Sequence, residues 1–104
     1  MERTIKPDTL KHDLVGKLIL DVRRAADREA APEHLAGADW KDPEQLANWA
    51  DSLPTDQDIV VYCVRGGSVS NSVVDALQAK GVKARFIEGG IEGWKAAGGE
   101  VVGP

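Results

Sequence analysis

The chain has 104 residues, of which 42% are hydrophobic and 29% charged, and its formal net charge is −4. This composition is typical of one globular domain spanning residues 1–104, and an acidic chain without a basic patch is a poor partner for nucleic acid or an anionic membrane surface. No apolar run approaches a membrane span, and residues 1–11 lack the apolar core of a signal peptide, which predicts a cytoplasmic protein.

The first predicted elements are a buried strand, a helix and a second strand. Residues 18–22 form the apolar run LILDV, which is typical of a buried strand. Residues 23–33 are charged and rich in alanine, which predicts a helix or helical turn interrupted at Pro32. Arginines alternate with acidic residues over 21–29, a pattern that predicts a solvent-exposed face. Residues 36–40 predict a brief second strand.

The next helix has a clear start in the sequence. Asp42 suits the N-cap, Pro43 suits the first helical position, and Glu44 lies near the positive end of the helix. Apolar residues then follow at helical spacing until Pro54 ends the helix: Leu46, Trp49, Ala50 and Leu53.

The second half of the chain alternates strands and helices. Its predicted elements are a strand over 59–62, a helix over 69–80 closed by Gly81, a strand over 82–87, a turn at Gly89 and Gly90, and a helix over 91–97. Such alternation predicts an α/β fold with a parallel sheet and helices on both faces. Ligands of these sheets bind beyond the carboxyl ends of the strands.

The only cysteine, Cys63, directly follows the predicted strand 59–62. A single cysteine excludes an internal disulfide, and the chain has no cluster with metal-ligand spacing, so neither a metal nor an organic cofactor is expected. A Gly-rich loop and a helix follow, and free loop N–H groups and a helix N-terminus favour a thiolate and an anion bound beside it. The pattern therefore predicts a catalytic nucleophile.

The residues after Cys63 are predicted to form a substrate-binding loop: Val64, Arg65, Gly66, Gly67 and Ser68. Gly66 and Gly67 allow positive φ, which lets successive N–H groups converge. Both are expected to be intolerant of substitution for a backbone reason, and at least one is expected to need positive φ or a close approach of its N–H to the sulfur. Gly66→Ala is expected to lose activity while the domain stays folded. Ser68 offers a hydroxyl donor and a cap for the next helix. Arg65 is expected to point outward and attract anions.

Three motifs in this order resemble the rhodanese family of single-domain sulfurtransferases over nearly the whole chain. LILDVR at 18–23 is similar to the opening strand of the family, VVYCVRGGS at 60–68 to its active-site loop, and FIEGGIEGW at 86–94 to its closing signature. The resemblance implies a rhodanese-like α/β fold around about five mostly parallel strands. It also implies sulfur transfer through a persulfide on Cys63.

The activity implied by this resemblance is a double displacement without a cofactor. Cys63 takes sulfane sulfur from a small-molecule donor, thiosulfate or a persulfide, and passes it to cyanide or a thiol acceptor. A protein sulfur carrier is left open as a further partner. Because the chain has no second cysteine, the resolving thiol must come from outside.

The chain departs from the family pattern around its first helix. Asp27 supplies an acid where tandem-domain thiosulfate enzymes place a basic residue, which disfavours efficient use of thiosulfate. His34 is expected to pack or hydrogen-bond rather than to act as a base. Asp21 and Arg23 are expected to orient loops by charge-assisted hydrogen bonds.

Two alternatives remain at this point. Related phosphatases and arsenate reductases use a Cys-x5-Arg loop, but here the sixth residue after Cys63 is Val69, so the arginine that clamps phosphate is missing. The second alternative is a non-enzymatic rhodanese-like module that docks a partner or regulates. Such modules often lose the cysteine, and this chain keeps it. The physiological donor and acceptor, the pathway and the oligomeric state are left open.

Overall fold

The computed structural model describes residues 2–103. Its strands are β1 (Thr4–Ile5), β2 (Lys17–Asp21), β3 (His34–Leu35), β4 (Asp39–Trp40), β5 (Asp58–Tyr62), β6 (Ala84–Ile87) and β7 (Val101–Val102). Its α-helices are α1 (Pro7–Lys11), α2 (Ala25–Ala30), α3 (Leu46–Trp49), α4 (Ser68–Ala79) and α5 (Gly90–Ala96). Single 3₁₀ turns, Pro43–Gln45 and Ala50–Ser52, extend α3 at both ends.

Five strands form one parallel sheet in the order β1-β6-β5-β2-β4. The predicted α/β fold with about five parallel strands is therefore confirmed. The remaining two strands, β3 and β7, pair with each other in antiparallel fashion. In the described part of the chain, no helix combines the length and apolar character that crossing a bilayer requires.

Helices cover both faces of the sheet, and successive residues of β5 point to opposite faces. Ile59 and Val61 belong to a core cluster with residues of α3 and α4, whereas Val60 and Tyr62 belong to a second cluster with residues of α1 and α5. This sandwich explains why β5 is a continuous apolar run rather than an alternating one.

Several elements differ from the sequence-based expectations. The first predicted helix is shorter than residues 23–33, since α2 covers only six residues. The strands β1, β3 and β7 and the helix α1 were not predicted, because two-residue strands and a five-residue helix give almost no periodic signal. The predicted cap of the third helix is confirmed, since a carboxylate oxygen of Asp42 accepts a hydrogen bond from the Glu44 N–H at 2.9 Å.

The register of the sheet brings two chain segments together at its carboxyl edge. Asp21 pairs with Tyr62 across β2 and β5, and the Val22 N–H donates to the Tyr62 carbonyl at 2.9 Å. The segments that leave these two strands therefore begin side by side. One carries Arg23 and Arg24, and the other carries Cys63.

Candidate active site

Cys63 lies directly after β5 and lines an open cavity of about 370 Å³. The residue itself is only 6% exposed. The cavity is lined by residues from the end of β2, the first turn of α2, the loop after Cys63 and the start of α4: Arg23, Arg24, Asp27, Cys63, Val64, Arg65, Gly67, Ser68 and Val69. The cavity therefore lies beyond the carboxyl ends of β2 and β5, the edge of a parallel α/β sheet at which ligands commonly bind.

The loop after Cys63 keeps its backbone donors unpaired. Among residues 2–103, no backbone carbonyl accepts a hydrogen bond from the N–H groups of residues 64–70. Three of these groups belong to the first turn of α4, where the helix geometry itself leaves the N–H groups without partners. The loop and the helix start thus offer a series of unpaired donors in the segment that directly follows Cys63, and such donors can bind anions in proteins.

One expectation for this loop was wrong, and a second holds for only one of its two glycines. Ser68 does not cap the following helix, because it is the first residue of α4 and the N-cap is Gly67, which has no side chain. Instead, the side-chain amide and the N–H of Asn71 both donate to the Gly67 carbonyl at 3.1 Å. The second expectation was that neither glycine tolerates substitution and that at least one needs positive φ or a close approach of its N–H to the sulfur; Gly66 has positive φ and Gly67 does not. Gly67 has φ −89°, and a Cβ built there meets nothing within 4 Å.

Gly66 differs from Gly67 in both respects. Its φ is +71°, a conformation that residues with a Cβ rarely adopt. A Cβ on Gly66 would also lie 3.1 Å from the Gly89 nitrogen and 3.2 Å from the Ile87 carbonyl oxygen. Gly66 does not line the cavity but packs on the turn that follows β6. Substitution at Gly66 should therefore lower stability as well as activity, contrary to the expectation of an unaffected fold.

The turn after β6 and the first turn of α5 hold the backbone at Cys63 by hydrogen bonds and close packing. The Ile91 N–H donates to the Cys63 carbonyl at 2.9 Å, and the Glu92 N–H donates to the Val64 carbonyl at 3.1 Å. The approach is so close that a Cβ on Gly90 would lie 2.4 Å from the Cys63 carbonyl oxygen. The start of α5 thus donates hydrogen bonds to the first two carbonyls of this segment, those of Cys63 and Val64, and holds its backbone in place.

The prediction of a solvent-exposed face over residues 21–29 was wrong for its first members. Asp21 and Arg23 are each 1% exposed and form a bidentate ion pair, with Arg23 Nη2 donating to Asp21 Oδ2 at 2.8 Å. Arg23 also donates to the carbonyls of Ala31 and Glu33 at 2.8 and 3.0 Å. These charge-assisted bonds attach the segment after α2 to the sheet, as expected for a loop-orienting pair.

A buried tyrosine completes the support on this side. The Leu35 N–H donates to the Tyr62 hydroxyl at 3.3 Å, and the Arg23 guanidinium lies 5.8 Å from the centre of the Tyr62 ring. Burial raises the pKa of Tyr62, and the nearby Asp21 carboxylate raises it further. Burial alone would lower the pKa of Arg23, but the hydrogen bond and the charge of Asp21 raise it overall. Tyr62 is therefore held neutral and Arg23 charged.

The cavity contains two charged residues that sequence reasoning did not place there as substrate contacts. Arg24 follows Arg23 at the carboxyl end of β2, and Asp27 lies in the first turn of α2. The sequence offered one signal that could have placed Arg24 near the cavity, namely its position directly after the DVR motif at the end of β2. His34 lies in β3 with Nδ1 3.3 Å from the Pro32 carbonyl oxygen, and it does not line the cavity. The expectation that His34 hydrogen-bonds locally agrees with this position.

Among residues 2–103, no group of three or more His, Cys, Asp or Glu side chains is arranged to hold a metal ion. The groups that the structure places at or near the cavity include the thiol of Cys63, the N–H groups of the loop after it, and the side chains of Arg24, Asp27 and Arg65.

Comparisons with known proteins agree with this geometry. The model of the Rhodanese-like domain family matches residues 6–97. A rhodanese-related protein from Thermoplasma volcanium has 27% sequence identity to the chain and a TM-score of 0.86, with 97% of this chain and 98% of that chain covered. We found no significant match among curated proteins.

Two further solved structures have the same fold. A rhodanese-like domain protein from Staphylococcus aureus is 28% identical with a TM-score of 0.77, over 89% of this chain and 91% of that chain. A protein from Anabaena sp. is 29% identical with a TM-score of 0.80, over 96% of this chain and 82% of that chain. The similarity thus extends over nearly the whole length of these proteins.

Proposed function

Because the chain belongs to the Rhodanese-like domain family, we propose that it is a sulfurtransferase in which Cys63 carries sulfane sulfur as a persulfide. The observation that carries this proposal is the position of the thiol at the end of β5, in a cavity that is also lined by Val64, Arg65, Gly67, Ser68 and Val69. The N–H groups of these five residues have no backbone acceptor within residues 2–103. A cysteine that only filled the core would need neither the cavity nor the donors.

The reaction proceeds in two displacements. The Cys63 thiolate attacks the outer sulfur of the donor; with thiosulfate the S–S bond breaks, sulfite leaves with the bonding electron pair, and Cys63 carries S–S⁻. Cyanide or a thiolate acceptor then attacks the outer sulfur, which releases thiocyanate or a new persulfide and returns the Cys63 thiolate. The unpaired N–H groups of the loop stabilise the persulfide anion between the two steps.

Arg65 recruits the donor in this scheme. Its side chain is exposed, lines the cavity and, within residues 2–103, forms no ion pair. Arg65→Gln should raise KM for thiosulfate with a smaller change in kcat, because the cation attracts the anion without contacting the breaking bond. A large loss of kcat at unchanged KM would contradict this role.

Intact mass after incubation with thiosulfate tests the proposal. We expect one added sulfur, about 32 Da, which cyanide removes with formation of thiocyanate. Cys63→Ala should lose both the adduct and turnover, and Cys63→Ser should do the same while keeping the size of the side chain. An adduct or turnover that persists in Cys63→Ala, or a wild-type protein that no sulfur donor modifies, would overturn the proposal. The second result would favour the non-enzymatic module.

Phosphate chemistry is a weaker candidate for this cavity. Val69, the sixth residue after Cys63, lines the cavity and carries no charge, whereas a Cys-x5-Arg loop places its phosphate-binding arginine at this position. A lone thiol persists best in a reducing compartment, so a cytoplasmic setting with a thiol acceptor, free or on a protein sulfur carrier, suits the proposed reaction.

A further inference from the structure

The start of α4 is held by a residue one turn into the helix rather than by its own N-cap. The N-cap is Gly67, which has no side chain that could accept a cap hydrogen bond. The Gly67 carbonyl accepts two hydrogen bonds from Asn71, one from its N–H and one from its side-chain amide, each at 3.1 Å. The first is the ordinary helical bond, whereas the second depends on the side chain at position 71.

The side chain of Asn71 is itself fixed by Arg3, which precedes the edge strand β1. Arg3 Nη2 donates to Asn71 Oδ1 at 2.8 Å, and Arg3 Nη1 pairs with Asp75, one turn further along α4. Because a guanidinium only donates and a carbonyl only accepts, the two partners specify both ends of the Asn71 amide. A chain of hydrogen bonds therefore runs from the edge of the sheet through Asn71 to the Gly67 carbonyl.

The orientation of the Gly67 carbonyl determines that of the next donor in the loop. The peptide unit between Gly67 and Ser68 is planar and trans, so its C=O and its N–H point in opposite directions. Since the carbonyl is turned into α4 towards Asn71, the Ser68 N–H points out of the N-terminus of the helix. Gly67 and Ser68 line the cavity that contains Cys63, and within residues 2–103 this N–H has no backbone acceptor.

We propose that Asn71 is a positioning residue for the reaction at Cys63 and that Arg3 acts through it. This inference rests on the proposed sulfur transfer. Neither residue lines the cavity, so both act from outside it, by holding the peptide unit between Gly67 and Ser68 with its N–H free. A donor that is already oriented stabilises the charge on the transferred sulfur without reorganisation during the reaction. Loss of the Asn71 bond should therefore lower kcat and leave KM unchanged.

An isosteric pair of variants, Asn71→Thr and Asn71→Val, isolates the side-chain donor. A threonine hydroxyl in a helix can donate to the carbonyl four residues earlier, which here is that of Gly67, whereas valine has the same shape and no donor. Cyanide-dependent turnover with thiosulfate gives kcat and KM for both variants. We expect kcat of Asn71→Val to be about fivefold lower than that of Asn71→Thr, the worth of one neutral hydrogen bond, at similar KM.

Arg3→Gln tests whether Arg3 acts through Asn71. It should lower kcat about twofold in the wild-type background, the middle of the range for an exposed ion pair. It should have no further effect in Asn71→Val, because the residue through which it acts is gone. Asp75→Asn is the matched control, since it removes the ion pair between Arg3 and α4 but leaves both hydrogen bonds to the Gly67 carbonyl, and it should change neither kcat nor KM.

The outcomes separate this inference from the proposed function. Equal kcat in Asn71→Thr and Asn71→Val, with wild type active, would overturn the positioning role and leave sulfur transfer intact, even if urea unfolding showed that the valine variant is less stable. A fall of kcat in Asp75→Asn equal to that in Arg3→Gln would also overturn it, because the effect would then come from attaching the N-terminal segment to α4. A wild-type Cys63 that takes up sulfur from no donor would overturn sulfur transfer, and this inference with it.

Discussion

The loop after Cys63, residues 64–68, and the turn that supports it, residues 88–93, are both rich in glycine but differ in how their polar groups are used. Within residues 2–103, the N–H groups of the loop have no backbone acceptor, whereas those of Ile91 and Glu92 donate to the carbonyls of Cys63 and Val64. The supporting turn is packed so closely that a Cβ on Gly90 would overlap the Cys63 carbonyl.

This difference shows how the fold keeps donors available at the site. Unpaired backbone groups lower stability, so a loop with unpaired N–H groups needs support from groups that are fully bonded. Here the support comes from two sides, the Gly89–Gly90 turn and the buried network of Asp21, Arg23 and Tyr62. Substitutions in the support should therefore cost more stability than substitutions in the loop.

The largest effect is expected for Gly90→Ala. The new Cβ would lie 2.4 Å from the Cys63 carbonyl oxygen at a residue with φ +61°, so we expect a loss of about 3 kcal/mol or more in the free energy of unfolding. Gly81→Ala is the matched control, because Gly81 has φ +79° but open space around it and should lose only about 1 kcal/mol. Urea unfolding measures both; equal losses would mean that the close approach to Cys63 contributes nothing.

Gly66→Ala probes the place where the loop touches its support. Positive φ and backbone contacts of 3.1 to 3.3 Å predict a loss of about 2 kcal/mol together with loss of sulfur transfer. Gly67→Ala, one residue along the same loop, should stay within about 0.5 kcal/mol of wild type. Thermal or urea unfolding and cyanide-dependent turnover compare the two variants. If Gly67→Ala lost more stability or activity than Gly66→Ala, the conclusion that Gly66 packs on the Gly89–Gly90 turn while Gly67 has open space would be wrong.

Tyr62→Phe tests the buried network through pH. Near neutral pH it should cost about 1 kcal/mol, because the Leu35 N–H loses its acceptor. Since burial raises the pKa of Tyr62 in the folded state, the unfolded chain loses the phenolic proton first, and wild type loses stability as the pH rises above about 10.

The phenylalanine variant lacks this loss, so wild type should lose about 1.4 kcal/mol relative to the variant by about pH 11. The advantage of wild type near neutral pH should therefore disappear and the variant should become slightly more stable. Urea unfolding of both proteins between about pH 8 and pH 11 measures the difference. A difference that stays constant over this range would show that the Tyr62 hydroxyl titrates alike in the folded and unfolded states.

The smallest change in stability is expected at Ser70, in the helix that follows the loop with the unpaired N–H groups. Its hydroxyl is buried in the first turn of α4 and has no hydrogen-bond partner within residues 2–103. Ser70→Ala should therefore raise the free energy of unfolding, by about 1 kcal/mol. Ser72→Ala, exposed on the same helix, isolates the contribution of helix propensity. If Ser70→Ala gained no more than Ser72→Ala, the buried hydroxyl would carry no penalty.

Much of the fold was predictable from local patterns. The apolar runs of β2 and β5, the cap at Asp42 and the helix before Gly81 each carry their own signal, because burial, capping and positive φ impose residue types at fixed positions. The position of Cys63 at the end of a strand, before a Gly-rich loop, was predictable in the same way. The short strands and α1 were not, since they form only when they pair or pack with distant segments.

Only the tertiary structure shows that neighbouring residues of the same type have different contacts and environments. Arg23 and Arg24 are neighbours in the chain, yet one is buried in an ion pair with Asp21 and the other lines the cavity. Gly66 and Gly67 are also neighbours, yet only Gly66 packs against the Gly89–Gly90 turn. Residue type and spacing determine what a side chain or backbone can do; its partners are contributed by segments far away in the chain, which the parallel sheet brings to one edge.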